Sequence, residues 1–359
     1  MTIENKRPII VTGGAGFIGA NFIRHWLRSS NAPVINIDKL TYAGNKDNLV
    51  ELSNTCLEFV HGDIGDTDLV SQVITRSEPA AIINFAAESH VDRSIHGPED
   101  FITTNVVGTF RLLEQSRKYW DGLSDDRRER FRFIHVSTDE VYGSLHPEDQ
   151  PFRETNAYQP NSPYAASKAA SDHLMRAWYH TYGFPVITTN CSNNYGPFQF
   201  PEKLVPLMIQ NALESKALPI YGNGLQIRDW LYVDDHCDAV RTVLNRGAPG
   251  ETYNIGGSSE RTNIEVVHLI CDILDEEVPR PDKRSYRGQI SFVADRPGHD
   301  RRYAIDASKI QSQLGWAPTQ TFESGIRKTI QWYLANRPWV QRVTSGSYRD
   351  WVHQNYAAR

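Results

Sequence analysis

What this chain lacks narrows the field first. Its four cysteines, Cys56, Cys191, Cys237 and Cys271, are scattered without a CxxC pair. That argues against a disulfide scaffold or zinc site and for reduced thiols in a cytosol. The twelve histidines contain no HxxxH or HExxH pattern, so no bound metal is expected. No apolar run reaches the roughly 18 residues of a membrane span. MTIENKRPIIVTGG leads almost directly into a strand, so the expectation is a cytoplasmic protein without a signal peptide or membrane partner. Positive charge is not in excess: 38 Lys and Arg face 43 Asp and Glu, a net charge of −5. Nucleic acid is therefore not an expected partner, and any phosphate binding must be local. There is no repeat of fixed period and no low-complexity segment.

What is present fits an ordinary globular enzyme-sized chain. At 359 residues, 40% hydrophobic and 23% charged, it suits one large α/β domain or two joined ones. The first half alternates short apolar runs with helical patterns. RPIIVTGG, VINID, LEFVHGDI, AAIINFAA, FRFIHVST and PVITTNCSN read as buried parallel strands. Helices are predicted at Phe17–Arg28, around Leu69–Arg76, at Pro98–Trp120 and at Tyr164–Tyr182. This alternation predicts a Rossmann-like doubly wound parallel sheet. After about Asn190, Gly, Pro and Asn become frequent, predicting a smaller, irregular α/β substrate lobe over the sheet's carboxyl edge. YVDDHCDAVRTVLNR and TYNIGG are expected to return to the first lobe. The expected division is 1–190 plus about 229–258 for the Rossmann domain and about 191–228 plus 259–335 for the substrate lobe. An aromatic tail, 336–359, packs on the body, and DDRRER (125–130) reads as a solvated loop.

Thr12-Gly13-Gly14-Ala15-Gly16-Phe17-Ile18-Gly19 follows the first strand and opens the first helix. Its early glycines permit a tight turn and close approach of a pyrophosphate to the helix N-terminus, and the last permits close helix–strand packing. The second strand ends at Asp38, 38 − 19 = 19 residues past the last glycine. A carboxylate there binds a ribose 2′-hydroxyl and repels a 2′-phosphate, so NAD is expected rather than NADP, with Lys39 weakening the discrimination. Asp63, which closes the third strand in Gly62-Asp63-Ile64, is placed to meet the adenine.

Tyr164 and Lys168 lie four residues apart in YAASK, on one helical face behind Pro163. A lysine ammonium and a positive nicotinamide lower a tyrosine's pKa, so Tyr164 is expected to take a hydroxyl proton as hydride leaves the same carbon.

With these motifs the chain resembles the short-chain dehydrogenase/reductase superfamily in its extended, nucleotide-sugar-modifying form, over residues 8–335. DKLTYAGN, AAESHVDRSI, STDEVYG, SPYAASKAASDHL, NCSNNYGPFQFPEKLVP, IRDWLYVDDH and DRPGHDRRYAID look like the dTDP-glucose 4,6-dehydratases within it. Phe198-Gln199 and the short QPFRETNAYQPN segment depart from that pattern in detail. The chemistry fits STDEVYG. Oxidising a sugar at C4 acidifies C5–H, so a carboxylate can remove that proton while a carboxylic acid protonates the departing C6 hydroxyl. Hydride then returns to C6, leaving a 4-keto-6-deoxy sugar and regenerated NAD.

By this resemblance Glu140 is the base, Asp139 the acid, and Thr138 a hydrogen-bond donor to the C4 oxygen beside Tyr164. Burial and the charge of Glu140 should keep Asp139 protonated. The resemblance also implies cofactor contacts from Phe17, Ile18, Lys39, Thr41, Ile64, Ala86, Ala87, Ser89, Thr104 and Asn194. It implies substrate contacts from Ser89, Asn193, Lys203, Leu204, Pro219, Tyr221, Arg228, Asn263, Arg296 and His299. The helical segments Pro98–Trp120 and Tyr164–Tyr182 resemble the family's dimer helices, implying a homodimer through a four-helix interface. A 4-epimerase shares fold, NAD and the Tyr/Lys pair but has no need of the Asp-Glu pair. Dehydratases acting on other nucleotide sugars tend to differ at Asp139, and a non-catalytic scaffold would have lost part of this set.

Overall fold

The computed structural model describes residues 7–30, 32–52, 56–295 and 298–344. Its strands are β1 (Ile9–Thr12), β2 (Val34–Asp38), β3 (Leu57–His61), β4 (Ala81–Asn84), β5 (Arg132–Thr138), β6 (Val186–Cys191), β7 (Asn193–Tyr195), β8 (Leu218–Tyr221), β9 (Ile227–Tyr232), β10 (Thr252–Ile255), β11 (Glu260–Thr262) and β12 (Ile290–Val293). All six strands predicted for the first half form. Together with β10 they make a seven-stranded parallel sheet in the order β10-β6-β5-β4-β1-β2-β3. The apolar runs form strands because helices cover both faces; every residue of β1, β2 and β4 is buried.

The strand order reverses between β1 and β4, which opens a crevice at their carboxyl ends. The helix Phe17–Ser29 packs with Val233–Arg246 on one face of the sheet; Val240 and Val243 of the latter share a core with Phe22 and Ile23. The helices Thr67–Ser77, Thr109–Asp121 and Pro163–Tyr182 bury apolar side chains in the core of the other face. Beyond the carboxyl edge, β11-β9-β7 form a small mixed sheet and β8 pairs with β12. Their core runs from Tyr195 through Ile270 to Tyr333.

Two segments differ from the sequence reading. Pro98–Trp120 is not one regular helix: Pro98–Phe101 leads into a π-helical segment, Ile102–Gly108, before Thr109–Asp121. DDRRER is solvated but helical, Asp125–Arg130. Two aspartates in its first turn and arginines in its last complement the helix dipole, and Asp126 pairs with Arg130 at 2.6 Å. In the C-terminal part, Trp332 and Trp339 stack edge-on at 5.1 Å and both meet Phe198. Tyr348, Trp351 and Tyr356 lie outside the described residues.

Candidate active site

The crevice between β1 and β4 opens into a cleft with an empty volume of about 1540 Å³. One end is built by the glycine turn. Gly13 has φ +71°, and a Cβ there would lie 2.6 Å from the backbone nitrogen of Ala86, so only glycine lets the two loops approach. Gly16, Phe17, Ile18 and Gly19 also line the cleft. Gly14 does not: its amide donates to Asn36 Oδ1 at 2.9 Å, and a Cβ there would collide with that side chain. Gly14 therefore serves loop packing against β2, because its Cα faces the sheet.

Asp38 ends β2 and lines the cleft. Its carboxylate accepts from the amides of Ala15 and Leu40, both at 2.8 Å, fastening the glycine loop. Lys39, in the same wall, pairs with Asp63 at 3.4 Å and donates to Thr104 Oγ1 at 3.0 Å. Its charge is thereby matched by a carboxylate rather than offered to a 2′-phosphate. Thr41, Asp63, Ile64, Ala86, Ala87, Ser89 and Thr104 complete the walls of this end.

The other end lies where β5 and β6 finish. β5 stops at Thr138, and Asp139–Tyr142 form a single 3₁₀ turn. The strand's alternation ends there, so Thr138, Asp139 and Glu140 all border the cleft. The Thr138 hydroxyl accepts from the Glu140 amide at 3.3 Å and approaches Asp139 Oδ1 at 3.4 Å. Asp139 is buried, and its Oδ2 has no hydrogen-bond partner among the described residues. Burial first, then the charges of Glu140 and Asp229, push its carboxyl well above the usual range, against the pull of Arg228 and Thr138.

The helix Pro163–Tyr182 is N-capped by Ser162, whose hydroxyl accepts from Ala165 N at 3.1 Å, and opens with Pro163. It presents Tyr164 and Lys168 to the same cavity. Lys168 Nζ donates to Val136 O at 2.9 Å. The Tyr164 phenol is pushed well above its ordinary value by burial, then by Glu140, while the Thr138 hydroxyl draws it down. The protein's own groups thus do not produce the lowered value predicted from sequence, because a dry pocket next to a carboxylate disfavours a phenolate.

Among the expected substrate contacts, Ser89, Thr138, Asn193 and Lys203 line this cleft, and Lys203 Nζ donates to Ser89 O at 3.0 Å across it. Asn194 lines it too, with Oδ1 buried and without a partner among the described residues. Leu204, Pro219, Tyr221, Arg228, Asn263 and His299 are not in its walls. Leu204 opens the helix Leu204–Leu213, Pro219 lies on β8, and Tyr221, at the end of β8, donates to Asp92 at 3.1 Å. His299 contacts Asp295 at 2.6 Å, Asp295 accepts from Gln226, and the Gln226 carbonyl accepts from Asn263 N. The Arg228 guanidinium lies over the Tyr303 ring at 4.3 Å and acts electrostatically on Asp139. Arg296 lies outside the described residues.

Several cleft residues lie within the quoted motifs but were given no role from the sequence. Cys191 at the end of β6, its thiol pushed up to about 12 by burial, lines the catalytic end. Glu88 and Glu202 line the other side, both with carboxyls raised by burial. Only the tertiary fold brings them there.

A glycine-turn cleft at the switch point of a parallel sheet, with Tyr164 and Lys168 at its far end, defines an extended short-chain dehydrogenase/reductase. The Thr-Asp-Glu turn beside that pair narrows the class to sugar-nucleotide dehydratases. The chain belongs to this dehydratase family: the family model described as GDP-mannose 4,6 dehydratase matches residues 10–329. It is 59% identical to the dTDP-glucose 4,6-dehydratase of Shigella flexneri, over 98% of this chain and 99% of that one. A solved dTDP-glucose 4,6-dehydratase from Bacillus anthracis, in complex with NAD, is similar with TM-score 0.83 and 46% identity, covering 94% of this chain and 99% of that one. DesIV of Streptomyces venezuelae, a dTDP-glucose 4,6-dehydratase solved with NAD and TYD bound, has TM-score 0.85 and 44% identity over 94% and 99%.

Proposed function

We infer that the chain is an NAD-dependent hydro-lyase that converts dTDP-D-glucose to dTDP-4-keto-6-deoxy-D-glucose and water, a step toward deoxysugars. The observation that carries this reading is a buried Asp139, its carboxyl pushed well above the usual range by burial and by Glu140, in one cavity wall with Glu140, Tyr164 and Lys168. Names shared by relatives at 59% identity support the substrate.

The cleft fits NAD on its own features: the turn at Gly13 that no side chain allows, Asp38 at the end of β2, and the unpartnered Asn194 Oδ1. Residues Gly13, Gly16, Phe17, Ile18, Gly19, Asp38, Lys39, Thr41, Asp63, Ile64, Ala86, Ala87, Ser89, Thr104, Tyr164, Lys168 and Asn194 would hold it, with Gly14 shaping the loop. NAD supplies, when bound, a tightly held two-electron carrier that ends each cycle as it began. The residues do the rest. Tyr164 takes the C4 hydroxyl proton, with Thr138 bonded to the same oxygen. Glu140 removes the C5 proton once C4 is a ketone. Asp139 gives its proton to the C6 oxygen and water departs; Glu140 then returns a proton to C5. Two carboxyls with opposite protonation states perform an elimination that two equal ones could not.

Ser89 and Asn193 hold the sugar end, and Lys203 reaches toward the nucleotide diphosphate. Leu204, Pro219, Tyr221, Arg228, Asn263, Arg296 and His299 hold the nucleotide diphosphate, for which an arginine in a net-acidic protein is the natural partner. The two-lobe division by chain, 1–190 plus about 229–258 and about 191–228 plus 259–335, is supported by β10 joining the large sheet while β7 and β11 stand outside it; β9 (Ile227–Tyr232), which straddles the 228/229 boundary, pairs with β7 and β11. A homodimer through the segments Pro98–Phe101, Ile102–Gly108, Thr109–Asp121 and Pro163–Tyr182 is supported by exposed Ile102, Val107, Phe110 and Tyr182. No described helix is long and apolar enough to cross a membrane, and the free cysteines suit a cytoplasmic setting.

Product analysis after incubation with dTDP-glucose, UDP-glucose, CDP-glucose and GDP-mannose tests the reading. Water loss confined to dTDP-glucose, without added reductant, is expected. Dehydration of a different donor would keep the mechanism and overturn the substrate; epimerisation without water loss would overturn both.

A further inference from the structure

Under the catalytic end lies a buried polar cluster to which the chemistry above assigns no part. His135 sits in the middle of the apolar strand β5 and is fully buried. Burial, then the neighbouring Lys168 charge, push its imidazole down to about 4, so it is neutral at working pH. Its Nε2 lies 3.4 Å from Lys168 Nζ, 3.2 Å from Ser171 Oγ and 3.4 Å from Asp172 Oδ1. Its Nδ1 meets the Asn84 amide at 3.2 Å, and that amide bonds Thr12 Oγ1 at 2.6 Å. Asp172 Oδ2 accepts from Ser137 Oγ at 2.8 Å, and Oδ1 faces His135 Nε2 at 3.4 Å.

A buried carboxylate is costly unless its charge answers another. Here the answering charge is one helical turn away: Lys168 and Asp172 are four apart in Pro163–Tyr182, on the face turned to β5. We propose that Asp172 is a positioning residue for the reaction: its buried carboxylate, fixed by Ser137 and facing His135 Nε2 at 3.4 Å, is the counter-charge that keeps the Lys168 side chain, one helical turn away, in place as an ammonium. This rests on the reading of Tyr164 and Lys168 as the redox pair.

The surroundings leave Asp172 this task. Burial lowers the Lys168 pKa, and Asp172 is the largest influence opposing it, followed by Cys191. Cys191, facing from β6, is a thiol pushed up to about 12, and burial pushes the Asp139 carboxyl well above its usual range. Asn84 and Thr12 carry no charge, and Tyr158, beside Asp172, is kept as a phenol by burial. Glu140 is the other carboxylate nearby, and its place is at Tyr164 rather than behind Lys168.

Asp172→Asn keeps the side-chain shape and an acceptor for Ser137 but removes the charge. In this variant the alkaline limb of the kcat profile should move down by about one pH unit, costing about tenfold in kcat at mildly alkaline pH. KM for dTDP-glucose and NAD content should stay unchanged. Nitrogen NMR of lysine-labelled protein, with Lys168→Met for assignment, should show the Lys168 ammonium titrating at lower pH in Asp172→Asn. Unchanged profiles and titration would overturn the proposal. Should Asp172→Asn not fold, Ser137→Ala, which frees Oδ2, should give a smaller shift of the same sign, and no shift there overturns it equally. An inactive parent protein would refute the proposed function instead, and the NMR titration would still decide this point.

Discussion

Asp139 and Glu140 are neighbours with opposite tasks, and their surroundings assign them. Asp139 is 2% exposed and faces Glu140 and Asp229, so folding raises its pKa above 3.8. A carboxyl with a raised folded pKa favours the folded state only while protonated. Its contribution to stability therefore falls as pH climbs from the unfolded value toward the folded one. Asp139→Asn removes that loss. Its melting temperature relative to the parent should rise as pH climbs above the unfolded carboxyl value of about 4, while water elimination falls about 10²–10⁴-fold. A parallel pair of stability profiles would show that Asp139 ionises normally. Glu140→Gln should still oxidise C4 slowly, so reduced nicotinamide accumulates without water loss; unchanged turnover would remove Glu140 as the base. The Thr-Asp-Glu order was legible in the sequence because three adjacent residues carry it. The charges of Arg228 and Asp229 on Asp139 were not, since β9 meets that turn only in the folded lobe.

Among the elements, the strands of the large sheet and the glycine turn were legible because burial on both faces and a required positive φ leave local marks in the sequence. The π-helical segment Ile102–Gly108 left none. Its widened turn buries Thr104 and Asn105, and Asn105 becomes a latch. Its Oδ1 accepts from Glu88 N at 2.9 Å, and its Nδ2 donates to Glu88 O at 2.9 Å and to Ser167 Oγ at 2.8 Å. Ser167 Oγ in turn donates to Tyr164 O at 2.7 Å. One side chain thus ties the loop after β4 to the helix bearing Tyr164. Asn105→Ala leaves those buried groups unpaired and should destabilise the fold by about 1–3 kcal/mol, read from denaturant midpoints. A loss below about 0.5 kcal/mol would show that the latch is not what fixes this junction.

For the whole molecule, the sheet order and the glycine loop support the cofactor site proposed above, and reading of the sugar nucleotide is proposed for the second lobe. The second was the less legible, because short irregular strands such as β7, β8 and β11 carry little periodicity. The exposed Phe110, which meets Trp178 edge-on at 5.8 Å, belongs to the proposed four-helix interface. Phe110→Asp should shift sedimentation at micromolar concentration from dimer to monomer; an unshifted dimer would place the interface elsewhere.

The most direct test of the central claim is mass spectrometry of the purified protein incubated with dTDP-glucose in deuterated water. Loss of one water with one solvent deuteron at C5, without added reductant, is the result predicted for Asp139 and Glu140 acting with Tyr164. Retention of the C6 hydroxyl, or water loss without deuterium at C5, would contradict it.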